Sequence, residues 1–346
     1  MSAITKNKKT AIVLFNLGGP DNIQAVKPFL FNLFNDKYII NLPFFLRYFV
    51  AKLISSRREK AAKEIYLYLG GKSPILEETK KQAECLCKAL QDKIESEYEV
   101  FICMRHWHPM SDEVIKQVKK YSPDEVILLP LYPQFSTTTT ASSIEDFTKK
   151  LDNDIICKTI CCYPTENNFI NAHTELLNDA IKQVKNKNKF KVLFSAHGLP
   201  KKIIDSGDPY QFQIESTVAN IVKLIPDIDY KITYQSKVGP LEWIGPSTEN
   251  EINIASKQGI ELIIVPIAFV SEHSETLVEL DIEYKEIADR FRINYIRVPA
   301  LTINESFIKS LRDIVIRASQ KKESFLLSGD MSKICSNNYK KCPCRV

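Results

Sequence analysis

Two polar clusters carry the residue types that could do chemistry. SAHGLPKKIIDSGDPY presents His197, and SEHSETLVELDIEY presents Glu272, His273, Glu275, Glu279 and Glu283. Each follows an apolar β-type run, so both clusters belong at strand ends. The carboxylates recur at three- and four-residue steps, which on a helix lines them along one face. Lys285 is the only lysine nearby, so a solvated face of mixed charge describes this row poorly. A metal ion or protons passing among like charges would relieve their repulsion, and a neutral imidazole such as His197 can ligate the one or accept the other.

Further clusters end other β-type runs. MRHWHP places Arg105, His106 and His108 together; Trp107 and Trp243 are the only tryptophans. An arginine there can pair with a carboxylate in a bidentate fork, and an aromatic can cover a flat apolar ligand. STTTTASS, residues 136 to 143, reads either as hydroxyls at a helix N-terminus suited to an anion or as a Ser/Thr-rich cap. CSNNYKKCPC places Cys335, Cys342 and Cys344 close together, which points to soft-metal ligation with a fourth ligand supplied by Cys157, Cys161 or Cys162.

The elements that must position these groups form a repeat. Residues 1 to 187 contain the runs AIVLFNLGGP, EVFICMRHWHP, EVILLPLYPQ and DIICKTICCYP, and residues 188 to 321 contain KVLFSAHGLP, YKITYQSKVGP, ELIIVPIAFV and INYIRVPAL. The sets match in order: each first run ends in a glycine turn, and each third run is an acidic residue, four apolar residues and a proline. Strands alternating with helical segments predict an α/β fold of two Rossmann-like domains, each a parallel sheet flanked by helices. The predicted units are 1–187, 188–321 and a cysteine-containing tail, 322–346. Ligands bind beyond the carboxyl ends of such strands, so the clusters line one cleft.

Composition narrows the function. With 346 residues and 44% apolar content the chain can bury a large core without staples. Its 47 basic and 42 acidic side chains leave +5 with no basic arm, which argues against nucleic acid. NLGGP is not a dinucleotide fingerprint and no phosphate-binding P-loop follows a strand. The N-terminus reads as a first strand rather than a signal peptide, and nine cysteines in that setting argue for reduced thiols. No apolar stretch is long enough to span a bilayer; residues 28 to 58 come closest and read either as a core helix pair or as a lip that grips substrate or touches a membrane.

LFSAHGLPKKIIDSGDPY resembles the signature of the ferrochelatases, and the resemblance runs nearly the whole chain through NLGGP, GGKSPI, RHWHP, YPQFSTTTTASS, YQSKVGPLEWIGP and PIAFVSEHSETLVELDIEY. It implies insertion of ferrous iron into protoporphyrin IX, with release of two protons, in a cleft between the domains. It also implies that His197 and Glu275 are the inner metal- and proton-handling pair, with Glu272 and His273 beside them and Glu279 continuing the acidic path. By the same resemblance Leu17 and Trp243 flank the porphyrin, while Arg57, Arg58, Arg105 and the neighbouring His106 lie near it, the arginines toward the propionates. The tail is similar to that of bacterial members in which three cysteines join one internal cysteine around a 2Fe-2S cluster. Cys161 is the first choice for the fourth ligand because it lies at the carboxyl end of its strand. The partners implied are protoporphyrin IX, ferrous iron and, through the 28–58 lip, the inner membrane, with a cytoplasmic location. The competing readings are a chelatase of coproporphyrin III or another tetrapyrrole, and a non-catalytic porphyrin or haem carrier.

Overall fold

A computed structural model describes residues 8–91, 97–152, 154–321 and 326–345. All eight predicted runs form strands: β1 Lys9–Asn16, β2 Glu97–Met104, β3 Glu125–Pro130, β4 Ile156–Cys162, β5 Phe190–His197, β6 Tyr230–Gln235, β7 Glu261–Pro266 and β8 Tyr295–Arg297. A further strand, β9 Leu326–Ser328, follows them. The sheet orders are β2-β1-β3-β4-β9 and β6-β5-β7-β8, so the duplication read from sequence reappears as one topology used twice. Every pairing is parallel.

Parallel strands covered on both faces require apolar residues at consecutive positions, and β1 meets that requirement from Ala11 to Phe15. Its side chains alternate between two cores: Ile12 and Leu14 enter one, and Ala11, Val13 and Phe15 the other. The first of these cores also takes Val192, Phe194 and Ala196 from β5 and Ile263 and Val265 from β7. One hydrophobic core therefore joins the two sheets.

Sequence reading ended the second unit at residue 321 and began a tail there. In the structure the Glu305–Gln320 helix packs against the Asn167–Lys182 and Ile75–Gln91 helices, and β9 adds to the first sheet. Lys158 of β4 fixes that return. Its ammonium donates to the carbonyls of Ala318 (2.9 Å) and Ser319 (3.2 Å) in the last turn of the Glu305–Gln320 helix, while pairing with buried Glu125 at 2.8 Å.

Residues 28–58 contribute to two helices, Val26–Phe34 and Phe44–Tyr68. Val26, Phe29, Leu30 and Tyr66 form a small core between them, while Phe44, Phe45 and Phe49 stand 66%, 62% and 65% exposed at the start of the second helix. Among the described residues no helix is long and apolar enough to cross a membrane.

Candidate active site at the strand ends

His197 is the last residue of β5, where parallel strands deliver side chains to one edge of the sheet. The Tyr210 hydroxyl donates to its carbonyl at 3.0 Å and holds the strand end in place. The next residue must be glycine: a Cβ at Gly198 would lie 2.9 Å from the Gln235 carbonyl and 3.1 Å from the Trp243 ring. That close approach sets Trp243 beside the histidine, with ring centroids 6.4 Å apart and the rings edge to face.

The acidic row lies on a π-helix, Glu275–Tyr284, that follows β7. Glu275 Oε2 stands 3.0 Å from His197 Nδ1 and 4.0 Å from His273 Nε2, so one carboxylate oxygen sits between two imidazoles. Burial works against a charge on His197, but the Glu275 carboxylate outweighs it and raises the histidine above its usual value. Burial likewise works against ionised Glu275, yet His197, His273 and Arg58 together bring it down to about 2. His273 is shifted the other way: burial lowers it, and His197 adds to the effect.

The remaining carboxylates have different partners. Glu279 accepts from Gln235 Nε2 (2.9 Å), Ser236 N (2.9 Å) and Tyr284 Oη (2.8 Å), and from the Ser236 hydroxyl. Glu283, next along the row, is raised by burial and by Glu279, Glu286 and Glu249. Glu272, expected beside the acidic path, is instead committed to Arg297 at 2.6 Å and to the backbone N–H of Ala300 at 2.9 Å. Local spacing cannot signal this, because Arg297 lies 25 residues on, at the end of β8.

The expected porphyrin neighbours divide in the same way. Leu17 is half-buried after β1, and its N–H donates to the Asn16 side chain at 2.9 Å. Asn16 also donates to Ser271 (3.3 Å), and Gln82 donates to the carbonyls of Val270 (2.7 Å) and Thr302 (3.0 Å), a polar lock that sequence reasoning missed. Arg57 and Arg58 are exposed on the lip helix; Arg58 lies over Phe34 and acts electrostatically on Glu275. Arg105 is bound within the protein, by Asp36 at 3.0 Å and the Ser142 hydroxyl at 2.6 Å. His106 is buried with neither ring nitrogen hydrogen-bonded, its Nε2 4.0 Å from Asp36, and burial first and Arg105 second push it down to about 3.

STTTTASS forms a short π-turn, Thr137–Ala141, running into the Ser142–Thr148 helix. Ser136 accepts from the Thr138 N–H, as the capping reading expects, and the turn's remaining donors face the chain's own Asp208. That buried carboxylate accepts from Thr137 N (2.7 Å), Thr137 Oγ1 (2.7 Å), Ser136 Oγ (3.2 Å) and Tyr210 N (3.0 Å), tying the first sheet's loops to the segment after His197.

The tail folds back beside β4. Cys161, Cys162, Cys335, Cys342 and Cys344 share one buried cluster with Phe135. A register irregularity between Ile160 and Cys162 lets adjacent cysteines enter the same cluster, whereas Cys157 packs against the core on the far side of β1 and β3. Gln213 donates to Cys335 Sγ (3.1 Å) and Cys162 Sγ (3.5 Å), and the Tyr339 ring stacks on Phe212. A hydrogen bond from Cys342 brings Cys335 down to about 7, and one from Cys161 lowers Cys344. Among the described residues no three metal-binding side chains yet converge as a ligand set. The donors still fit a thiolate-bound cluster in kind: soft, buried, gathered from tail and strand, and in part acidified.

Comparison with known proteins places the whole chain in one family. The ferrochelatase family model matches residues 9–319. Curated ferrochelatases are similar at 57% identity in Rickettsia bellii (97% of this chain, 95% of that one), 56% in Rickettsia conorii (98% and 99%) and 54% in Pelagibacter ubique (97% and 98%). Among solved structures, the cobalt complex of the sirohydrochlorin chelatase SirB of Bacillus subtilis subspecies spizizenii shares the fold with a TM-score of 0.55 at 10% identity, covering 92% of this chain and 98% of that one.

Proposed function

The chain belongs to the ferrochelatase family, whose members insert ferrous iron into protoporphyrin to make haem, and from that premise we propose that His197 and Glu275 form its inner reaction centre. The observation that carries the assignment is the single Glu275 oxygen set between His197 and His273 at the strand ends. Protoporphyrin IX lies against Trp243 and Leu17, with Arg58 beside its propionates. The lobes that bound it are the two sheets with their helices, joined by the common core.

Insertion binds ferrous iron to all four macrocycle nitrogens and releases the protons of the two pyrrole N–H groups, so the site must take up protons as metal enters. Neutral His197 accepts a pyrrole proton, and ionised Glu275 stabilises the imidazolium that results. Glu279 and Glu283 continue from Glu275 along the π-helix and carry protons outward. A macrocycle held out of plane against Trp243 presents its nitrogen lone pairs to the iron, so binding energy lowers the barrier to insertion. Single-turnover insertion by E275Q is the test: turnover should fall at least tenfold with porphyrin binding retained, and unchanged turnover refutes the assignment.

Cys161, Cys335, Cys342 and Cys344 are the proposed ligands of a 2Fe-2S cluster. Cys161 is chosen because its thiol meets both Cys162 and Cys344. When bound, the cluster supplies a one-electron centre and a cross-link between tail and β4. The exposed Phe44, Phe45 and Phe49 are proposed to rest on a bilayer surface, placing a cytoplasmic enzyme peripherally on the inner membrane.

A further inference from the structure

We propose that Arg297 is a positioning residue for metal insertion: it ties down both the segment leading into the π-helix and the helix itself, on either side of Glu275, and so fixes which way the acidic row faces. The proposal rests on the assignment of His197 and Glu275. Arg297 ends β8, the outer strand of the second sheet. Its Nη1 lies 2.6 Å from Glu272 Oε1, three residues before Glu275. Its Nε and Nη2 each lie 2.6 Å from one oxygen of Asp281, six residues after Glu275, in a two-pronged fork. The same strand makes a third tie, since Tyr295 donates its hydroxyl to the Leu280 carbonyl at 2.8 Å.

The geometry accounts for the split among the carboxylates. Glu272 and Asp281 bind the sheet, while Glu275 and Glu279 turn to the histidine and to the Gln235–Ser236 strand end. A π-helix is irregular and found in short pieces, so its rotational register needs external support. Arg297 and Glu272 are both largely buried, their side chains 13% and 15% exposed. Removing the guanidinium would leave the largely buried Glu272 carboxylate without its counter-charge, held only by neutral donors such as the Ala300 N–H, and would free the helix to turn. A small rotation carries Glu275 away from His197, and misplacement of about 1 Å at a reacting group costs on the order of a hundredfold in rate.

Planarity makes the role specific to arginine, because a lysine ammonium cannot fork across Asp281 while holding Glu272. The test is steady-state iron insertion by R297K, R297Q and D281N under anaerobic conditions, with thermal melting of each variant. The expected result is a kcat lowered at least tenfold in R297K and R297Q, a raised KM for iron and an unchanged KM for protoporphyrin. D281N, which keeps the Glu272 contact, should show a smaller loss of the same kind, and adding it to R297Q should cost nothing further. Lower melting temperatures with unchanged kcat and iron KM would make Arg297 a purely structural group and overturn the proposal. Should R297Q fail to fold, D281N and R297K decide by the same readouts. E275Q separates the two claims: full activity there sinks the assignment itself, whereas an inactive E275Q beside a fully active R297K sinks only the clamp.

Discussion

The charge on Glu275 governs when His197 can act. An imidazole accepts a proton only when neutral, so turnover must rise with pH through the histidine's pKa, which the neighbouring carboxylate holds above the usual 6.5. Glu275 itself, held near 2, stays ionised across that range. Replacing Glu275 by glutamine removes the charge that supports the imidazolium and leaves burial, which acts in the opposite direction. The acid limb of kcat/KM should therefore move to lower pH in E275Q even as the plateau falls; a limb that stays in place would mean another group titrates there. At this scale local spacing set His197 and the row containing Glu275 at separate strand ends, and the family resemblance rather than spacing paired the two. The sequence was illegible where the partner came from afar. Glu272 has the right spacing for the acidic row, and only the position of Arg297 across two elements withdraws it. His106 has the right neighbours for a cleft residue, and only packing removes it from solvent.

At the scale of elements, Asp208 joins two strand-end loops that lie 71 residues apart. Its carboxylate satisfies donors on Ser136, Thr137 and Tyr210, and Tyr210 in turn supports the His197 carbonyl. Cutting it to alanine leaves those donors buried without an acceptor. D208A should lose about 3 kcal/mol of unfolding free energy, measured by urea titration; a loss of less than about 1 kcal/mol would show that the loops hold without it. All eight predicted strands were legible because alternating burial on two faces of a parallel sheet imposes continuous apolar runs. The short β9 was not, since Leu326–Ser328 carries little pattern of its own and is defined by pairing with β4. The acceptor of STTTTASS was likewise hidden: a helix N-terminus advertises its need for an anion but not that the chain supplies it.

For the molecule as a whole, one hydrophobic core joins both sheets, the lip helix presents exposed aromatics, and the cysteine-bearing tail packs against β4. The two attachments can be removed separately. Serine at Phe44, Phe45 and Phe49 should abolish flotation with anionic liposomes while leaving iron insertion from detergent-dispersed porphyrin within about twofold; flotation that persists would remove the lip from membrane contact. Anaerobically purified C161S should lose visible sulfide-to-iron absorption and bound sulfide, and C162S should keep both; the reverse pattern would make Cys162 the ligand. Neither feature bears on the central claim, that His197 accepts a pyrrole proton as iron enters. The most direct measurement is anaerobic single-turnover insertion by H197A already loaded with protoporphyrin IX, followed by the change of the porphyrin spectrum after ferrous iron is added. Porphyrin should remain bound and its free-base spectrum should persist at least a hundredfold longer than with the unaltered chain; conversion at the unaltered rate would contradict the account.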